Sequence, residues 1–243
     1  MQTVFSRNEK KYLVTKSQAN KLISVLSAYM KPDTYSTYWV QNLYFDTENW
    51  DIIQNSMEKP NYKEKIRLRC YGTQETTDRM FLEFKKKYSG VVYKRRLPIL
   101  PSAILQHSID EILSNDNSQI ARELAYHIQR TGVTKRFYIA YYRQAFAGIN
   151  NDEGLRITID SNISYRLDTL CFTEPERGNP VLEPNTFLLE IKTPINIPLW
   201  LAHLLSELEI FPTSFSKYAT CFTDWTSKQS NESLLERQVN EIA

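Results

Sequence analysis

The sequence predicts an α+β protein built on an antiparallel β-barrel tunnel with flanking helices, and three observations carry that prediction. Short segments of strand character recur between residues 5 and 192, separated by turn residues. Within them charged and apolar residues alternate, so that each strand has one charged and one apolar face. The helical stretches between them are amphipathic and need an apolar sheet surface to cover. Closing the sheet with its charged faces inward supplies that outer surface and leaves no strand edge exposed.

Residues 5–14 read as the first strand, and residues 17–29 as a helix with Leu22, Val25, Leu26 and Tyr29 along one side, closed by Pro32. Strand signals follow at 38–45, 62–71, 80–88, 91–97, 137–146, 155–163 and 186–192, with turns at Ser89-Gly90 and from Asn150 to Gly154. Helical stretches at 101–113, 119–130 and 198–208 serve as braces outside the barrel. Residues 168–185 hold three prolines and mixed charge and read as a long, mobile loop over an opening. Residues 1–225 make one tunnel domain, and the polar residues 226–243 a tail or peripheral helix.

With 243 residues, 42% hydrophobic and 12% aromatic, the chain is an ordinary folded protein able to bury a sizeable core. Its net charge of +2 is too small to mark the whole molecule for nucleic acid or a membrane surface, so anion selectivity has to come from local clustering. Cys70, Cys171 and Cys221 are odd in number and far apart, which argues against a disulfide framework and for a reducing compartment. The N-terminal residues carry charge where a signal peptide needs an apolar core, and no stretch approaches the roughly 20 apolar residues of a membrane span. A cytoplasmic location is the default expectation, with any attachment to a membrane left to a partner protein. His107, His127 and His203 lie in helical stretches without metal-ligand spacing, and no glycine-rich phosphate loop is present.

The charged faces hold the candidate chemistry. Arg7, Glu9 and Lys11 share one face of the first strand, and Lys65, Arg67 and Arg69 share a face opposite Ile66, Leu68 and Cys70. Glu83 and Lys85 lie together, as do Lys94 and Arg96; Arg156, Thr158 and Asp160; and Glu190 and Lys192. Arg143 interrupts an aromatic strand. A solvated outer face gives the same alternation on any one strand. Repetition over many strands, with arginine dominant and few neutral polar residues between, favours an inward, cation-lined surface that a polyanion stabilises. Arginine supplies forked donors for phosphate oxygens and lysine supplies mobile point charges. Glu190 is the strongest candidate for a hard ligand to Mg²⁺ or Mn²⁺, with Asp160 a further carboxylate; Glu9 and Glu83 suit either metal binding or salt bridges that hold neighbouring cations.

Taken in chain order, the motifs Arg7-x-Glu9-x-Lys11-Tyr12, Tyr44-Phe45-Asp46, Lys65-x-Arg67-x-Arg69-x-Tyr71-Gly72, Leu82-Glu83-x-Lys85, Tyr93-Lys94-x-Arg96, Tyr142-Arg143, Leu155-Arg156, Leu189-Glu190-Ile191-Lys192 and Phe215-Ser216-Lys217-Tyr218 resemble the VTC domain, the polyphosphate-polymerase branch of the triphosphate tunnel metalloenzymes. The resemblance implies a metal-dependent enzyme that moves the terminal phosphoryl group of ATP onto a polyphosphate chain. It implies phosphate contacts and catalysis by Lys11, Arg67, Arg69, Lys85, Lys94, Arg143, Arg156 and Lys217, a further substrate contact at Ser216, and metal binding at Glu190; the charged faces add Arg7, Lys65, Arg96 and Lys192 as substrate-binding candidates and Glu9 and Glu83 as metal candidates. The eukaryotic pattern carries a further lysine before Ser-Lys-Tyr, where this chain has Pro212-Thr213-Ser214-Phe215. Hydrolase members carry two acids near the N-terminus, where this chain has Arg7 and then Glu9. A metal-dependent triphosphatase and a noncatalytic domain binding polyphosphate, a nucleotide or an inositol phosphate are the alternatives that the same lining would serve.

Overall fold

The computed structural model describes residues 8–73, 80–89 and 91–242, with side chains as far as residue 231. Arg7 lies outside the described residues. The backbone forms β1 (Asn8–Thr15), α1 (Lys16–Leu26), β2 (Met30–Asp46), α2 (Asp51–Met57), β3 (Tyr62–Tyr71), β4 (Met80–Tyr88), β5 (Val91–Ile99), α3 (Pro101–Gln106), α4 (Ile109–Ser114), α5 (Gln119–Thr131), β6 (Thr134–Gly148), β7 (Arg156–Arg166), β8 (Asn179–Pro180), β9 (Thr186–Thr193), α6 (Leu199–Glu207) and α7 (Lys217–Ile242). Each strand expected of those residues is present. β2 begins eight residues before its expected start, and the stretch 101–113 divides into α3 and α4. Ser108 accounts for the division: its hydroxyl accepts from Glu111 N while the Glu111 carboxylate accepts from Ser108 N, a reciprocal cap that starts a new helix.

The strands make one antiparallel sheet in the order β1-β9-β7-β6-β2-β3-β4-β5, with β8 paired to β7. The expected closed barrel is therefore corrected to a strongly curled open sheet, because β1 and β5 pair on one side only. Curling still brings Lys11 of β1 within electrostatic range of Lys65 on β3 and Lys85 on β4. The free side of β1 is covered by the chain leading into α7, where Thr213 N donates to Lys11 O at 2.7 Å.

Two apolar clusters lie on the outer face, as expected. Leu68, Leu82 and Phe84 pack with Leu113, Ala121 and Leu124 of α4 and α5, and Val14, Ile157 and Ile191 pack with Leu22 of α1 and Leu201 of α6. A third cluster lies on the inner face. Val40, Tyr44, Ile139, Tyr141 and Leu188 alternate with the outward residues of their strands and pack against Tyr218, Cys221 and Phe222. The first turns of α7 thus fill part of the concavity, unlike the other long helices. Residue 225 falls inside this continuous helix.

The expected loop 168–185 contains the short strand β8, and its first part is tied to the sheet by Arg166. Arg166 is buried and donates to the carbonyls of Thr169, Cys171, Thr173, Glu174 and Arg177, while Phe172 sits in the first outer cluster. Asp46 performs a comparable task at the end of β2. Its buried carboxylate accepts from Thr47 N, Ile52 N and Ile53 N and from Tyr218 Oη at 2.8 Å. It therefore starts α2, a seven-residue helix too short to announce itself by apolar periodicity, and seats α7. Asp46→Ala leaves those donors unsatisfied and is expected to lower unfolding free energy by about 2–4 kcal/mol, read from urea denaturation, with Asp46→Asn costing less.

Candidate functional site

The charged residues of the inner face gather around buried carboxylates. Glu83, at the centre of β4, is 1% exposed and holds four cations. Arg67 Nε reaches its Oε2 at 2.8 Å, Lys94 Nζ its Oε1 at 3.0 Å and Arg96 Nε its Oε1 at 2.8 Å, with Arg69 at 3.8 Å. The register dictates this, since Arg67 and Arg96 flank Glu83 directly on β3 and β5. Burial alone raises the Glu83 carboxyl, and Arg67, Arg69, Lys94 and Arg96 override it and hold the group far below the usual carboxylate range. Arg69 also donates to Asn42 Oδ1, and Arg67 to Tyr44 Oη.

On the other side of the concavity Asp160 and Glu190 do the same. Arg143 donates to both oxygens of Asp160, at 2.6 and 2.7 Å, across the β6–β7 pair. Lys217, at the head of α7, bridges Asp160 at 2.6 Å and Glu190 at 2.8 Å. Burial raises Glu190, whereas Lys217, Lys192, Arg143 and Lys11 together hold it well below the carboxylate range. Lys217 itself is held above the ordinary lysine range: burial opposes its charge and Asp160 and Glu190 outweigh that.

A third group of cations is left with little compensation. Lys65 pairs in register with Lys85, and Lys85 with Lys94. Among the described residues neither Lys65 nor Lys85 forms an ion pair with a carboxylate. Burial, then Lys85 and Arg67, pushes Lys65 down to about 8, and burial, only partly offset by Glu83, does the same to Lys94. Like charges placed side by side on neighbouring strands destabilise the sheet unless an anion lies across them.

The donors for a metal are fewer than the sequence suggested. Both Glu83 oxygens are engaged by guanidinium and ammonium groups, and both Asp160 oxygens by Arg143 and Lys217, so these acids organise cations. Glu190 is also engaged, Oε1 by Lys217 at 2.8 Å and Oε2 by Arg143 at 3.4 Å, but Glu190 and Glu9 differ from the other two acids in converging on one shared cation, Lys192 Nζ, 3.6 Å from the first and 3.8 Å from the second. Beside Glu190 in the register stands Thr158, whose buried hydroxyl has no hydrogen-bond partner. No group of three or more His, Cys, Asp and Glu side chains is gathered for a metal among the described residues. Two carboxylates and a hydroxyl fit a hard divalent ion whose remaining ligands are phosphate oxygens, the usual arrangement for Mg²⁺.

Of the residues singled out by sequence, Lys11, Lys65, Arg67, Arg69, Lys85, Lys94, Arg96, Arg143, Lys192, Lys217, Glu9, Glu83 and Glu190 share this inner face. Arg156 stands at its rim, paired with Asp33 at 2.8 Å and near Tyr38 Oη. Ser216 precedes α7, its hydroxyl facing Ala219 N at 3.4 Å. Sequence reasoning missed Asn42, Tyr44 and Tyr71, neutral or aromatic groups that fix the arginines. Tyr71 Oη accepts from Arg69 and Arg96; burial raises that phenol, but the two guanidiniums outweigh it and bring the group down to about 8. Alternation along β3 already puts Tyr71 on the face of the arginines, whereas Asn42 and Tyr44 lie on β2 and reach them only through the pairing of β2 with β3.

Comparison with solved structures finds a protein from Pyrococcus horikoshii at 15% identity, covering 90% of this chain and 98% of that one with a TM-score of 0.47. A putative adenylate cyclase from Vibrio parahaemolyticus matches at 11% identity over the same shares, also with a TM-score of 0.47. The triphosphatase of the Mimivirus capping enzyme matches at 9% identity over 82% of this chain and 87% of its own, with a TM-score of 0.37. No curated protein matches the sequence. The model of one family does match, from residue 6 to residue 225, and by that match the chain belongs to the VTC domain family.

Proposed function

We propose that this chain is a metal-dependent polyphosphate polymerase that transfers the terminal phosphoryl group of ATP to a polyphosphate chain. The observation that carries the reading is the excess of positive charge on the concave face: four carboxylates, Glu9, Glu83, Asp160 and Glu190, are outnumbered more than twofold by the lysines and arginines around them. Such a surface favours a ligand of high negative charge, and a linear phosphate chain is such a ligand.

In the proposed transfer the bond between the γ-phosphorus and the β–γ bridging oxygen breaks, a bond forms from that phosphorus to a terminal oxygen of the chain, and ADP leaves with the electron pair. The acceptor oxygen is already ionised near neutral pH, so no general base is required. Positioning and charge neutralisation carry the catalysis. Arg67, Arg69 and Arg96, fixed around Glu83, and Arg143, fixed by Asp160, present N–H donors in a preset geometry. Lys11, Lys85 and Lys217 add charge where the two phosphate ends meet. Glu190 and Glu9 would hold Mn²⁺ or Mg²⁺, which supplies neutralisation of charge on the phosphate oxygens.

Incubating the protein with ATP and Mn²⁺ or Mg²⁺, with products resolved on polyphosphate gels and phosphate release measured in parallel, tests the reading. The expected outcome is long polyphosphate that falls at least a hundredfold in Glu190→Gln, roughly 3 kcal/mol of transition-state stabilisation. Free phosphate without polymer would make the protein a triphosphatase, and ATP-dependent thermal stabilisation without turnover would make it a binding domain.

A pH dependence follows from Lys65 and Lys94. Both are charged below about pH 8 in the folded protein and lose charge above it, whereas in the unfolded chain they stay charged to the ordinary lysine value of 10.5. Ligand-free protein should therefore gain stability from these groups as pH rises from about 8 towards 10.5, while affinity for tripolyphosphate falls over the same interval. Each unit by which the bound anion raises those pKa values makes about tenfold of affinity pH-dependent. Calorimetric titration between pH 7 and 9.5 should show proton uptake on binding, and Lys65→Gln should remove part of it.

A further inference from the structure

Beyond Lys65 and Lys85 the inner face does not end. It opens into a cleft of about 1100 Å³ between the loop after α2, the ends of β3 and β4, and the first turns of α7. Lys63 and Lys87 lie directly opposite one another on β3 and β4, one step along the strands from the Lys65–Lys85 pair, and Lys59 stands beside them. Burial, then Lys87 and Lys59, lowers the Lys63 ammonium below its ordinary value. Among the described residues none of these lysines forms an ion pair with a carboxylate. The two acids that line the cleft are already occupied: Glu64 accepts from Tyr62 Oη and faces His127 at 3.2 Å, and Asp224 accepts from Tyr165 Oη and pairs with Lys228 at 2.7 Å.

The two parts of the face differ in kind. The centre is dominated by arginines locked to buried acids, which suits fixed recognition of particular phosphate oxygens. The cations of the cleft are all lysines, whose compact charges on flexible stems neutralise an anion without fixing its register. Ser214, Ser216 and Thr223 add hydroxyls to the lining, Met57, Pro60 and Val181 add apolar surface, and none of the described residues there is aromatic. Single-stranded nucleic acid is ordinarily held by bases stacked on aromatic rings, so the lining favours a polyanion without bases.

We infer that Lys59, Lys63 and Lys87 form a track for the distal phosphates of a linear polyphosphate chain, so that the site selects chains longer than a triphosphate and lets them slide. This rests on the proposed phosphate-binding role of the inner face and adds its length selectivity. Such lysines act through charge, so the track is read from salt dependence as well as affinity.

The test compares the wild-type chain with the triple variant Lys59→Gln, Lys63→Gln, Lys87→Gln, its folding checked by thermal melting. Calorimetric titrations use inorganic tripolyphosphate and a chain of about sixty phosphates, each over a series of salt concentrations. The expected result is that long-chain affinity falls at least tenfold and its logarithmic salt slope shrinks by about 2, three lost contacts at roughly 0.7 each, while tripolyphosphate affinity changes less than twofold. An equal fall for both ligands would reduce the lysines to a general field and overturn the track, as would no change for the long chain. If an oligouridylate of matching charge binds the wild-type protein as tightly as polyphosphate, the assignment to a base-free chain fails. Wild-type protein that binds neither phosphate ligand would overturn the phosphate-binding reading itself, a result separate from any effect of the variant.

Discussion

The whole inner face depends on carboxylates buried among cations. Guanidinium and ammonium groups at this density repel one another, and a sheet cannot curl them together without compensation. Glu83 on one side and Asp160 with Glu190 on the other provide it, each at the centre of a group set by strand register. Desolvating these acids is costly in isolation, and their multiple charge-assisted hydrogen bonds offset that cost. The compensation is incomplete by design of the registers: Lys65 and Lys85 remain side by side. Stability and anion binding are therefore opposed along one row and allied along the next.

Much of this was legible in the sequence because two-residue alternation fixes which side chains share a face. The runs from Lys65 to Arg69 and from Glu190 to Lys192 put their charges where the strands do. The role of the acids was less legible. Glu83 and Glu190 look alike in sequence, each two residues from a lysine, and both neutralise several cations, yet only Glu190 shares a cation with a second carboxylate, Glu9, and stands beside an orphaned threonine hydroxyl. That difference arises from cross-strand neighbours distant in the chain, which a single sequence does not order.

Three features escaped sequence reasoning for physical reasons. Closure of a sheet depends on strand tilt and on what covers its edges, and here a short backbone bridge at Thr213 covers β1 in place of pairing with β5. The α2 turn is held by one carboxylate and has no apolar stripe to betray it. The inward position of α7 escaped because its apolar stripe, Tyr218, Cys221, Phe222 and Trp225, spans only the first turns of a helix that continues as a polar run, and because Lys217 at its head is buried against acids while Tyr218 stacks on Tyr44 at 4.4 Å.

Lys217 also sets the order in which the site comes into being. Asp160 and Glu190 are synthesised before it, and it is the ammonium that bridges them. A nascent chain emerging from the ribosome can pair β6 with β7 and β7 with β9 while this part of its concave face is still short of a cation. Arg143 reaches both acids from β6, and only when the head of α7 has emerged and docked does the Lys217 ammonium add its charge between them. The helix that enters the concavity is thus the last piece of the sheet's assembly, and competence for binding reports that every strand has been made and that α7 has docked among them.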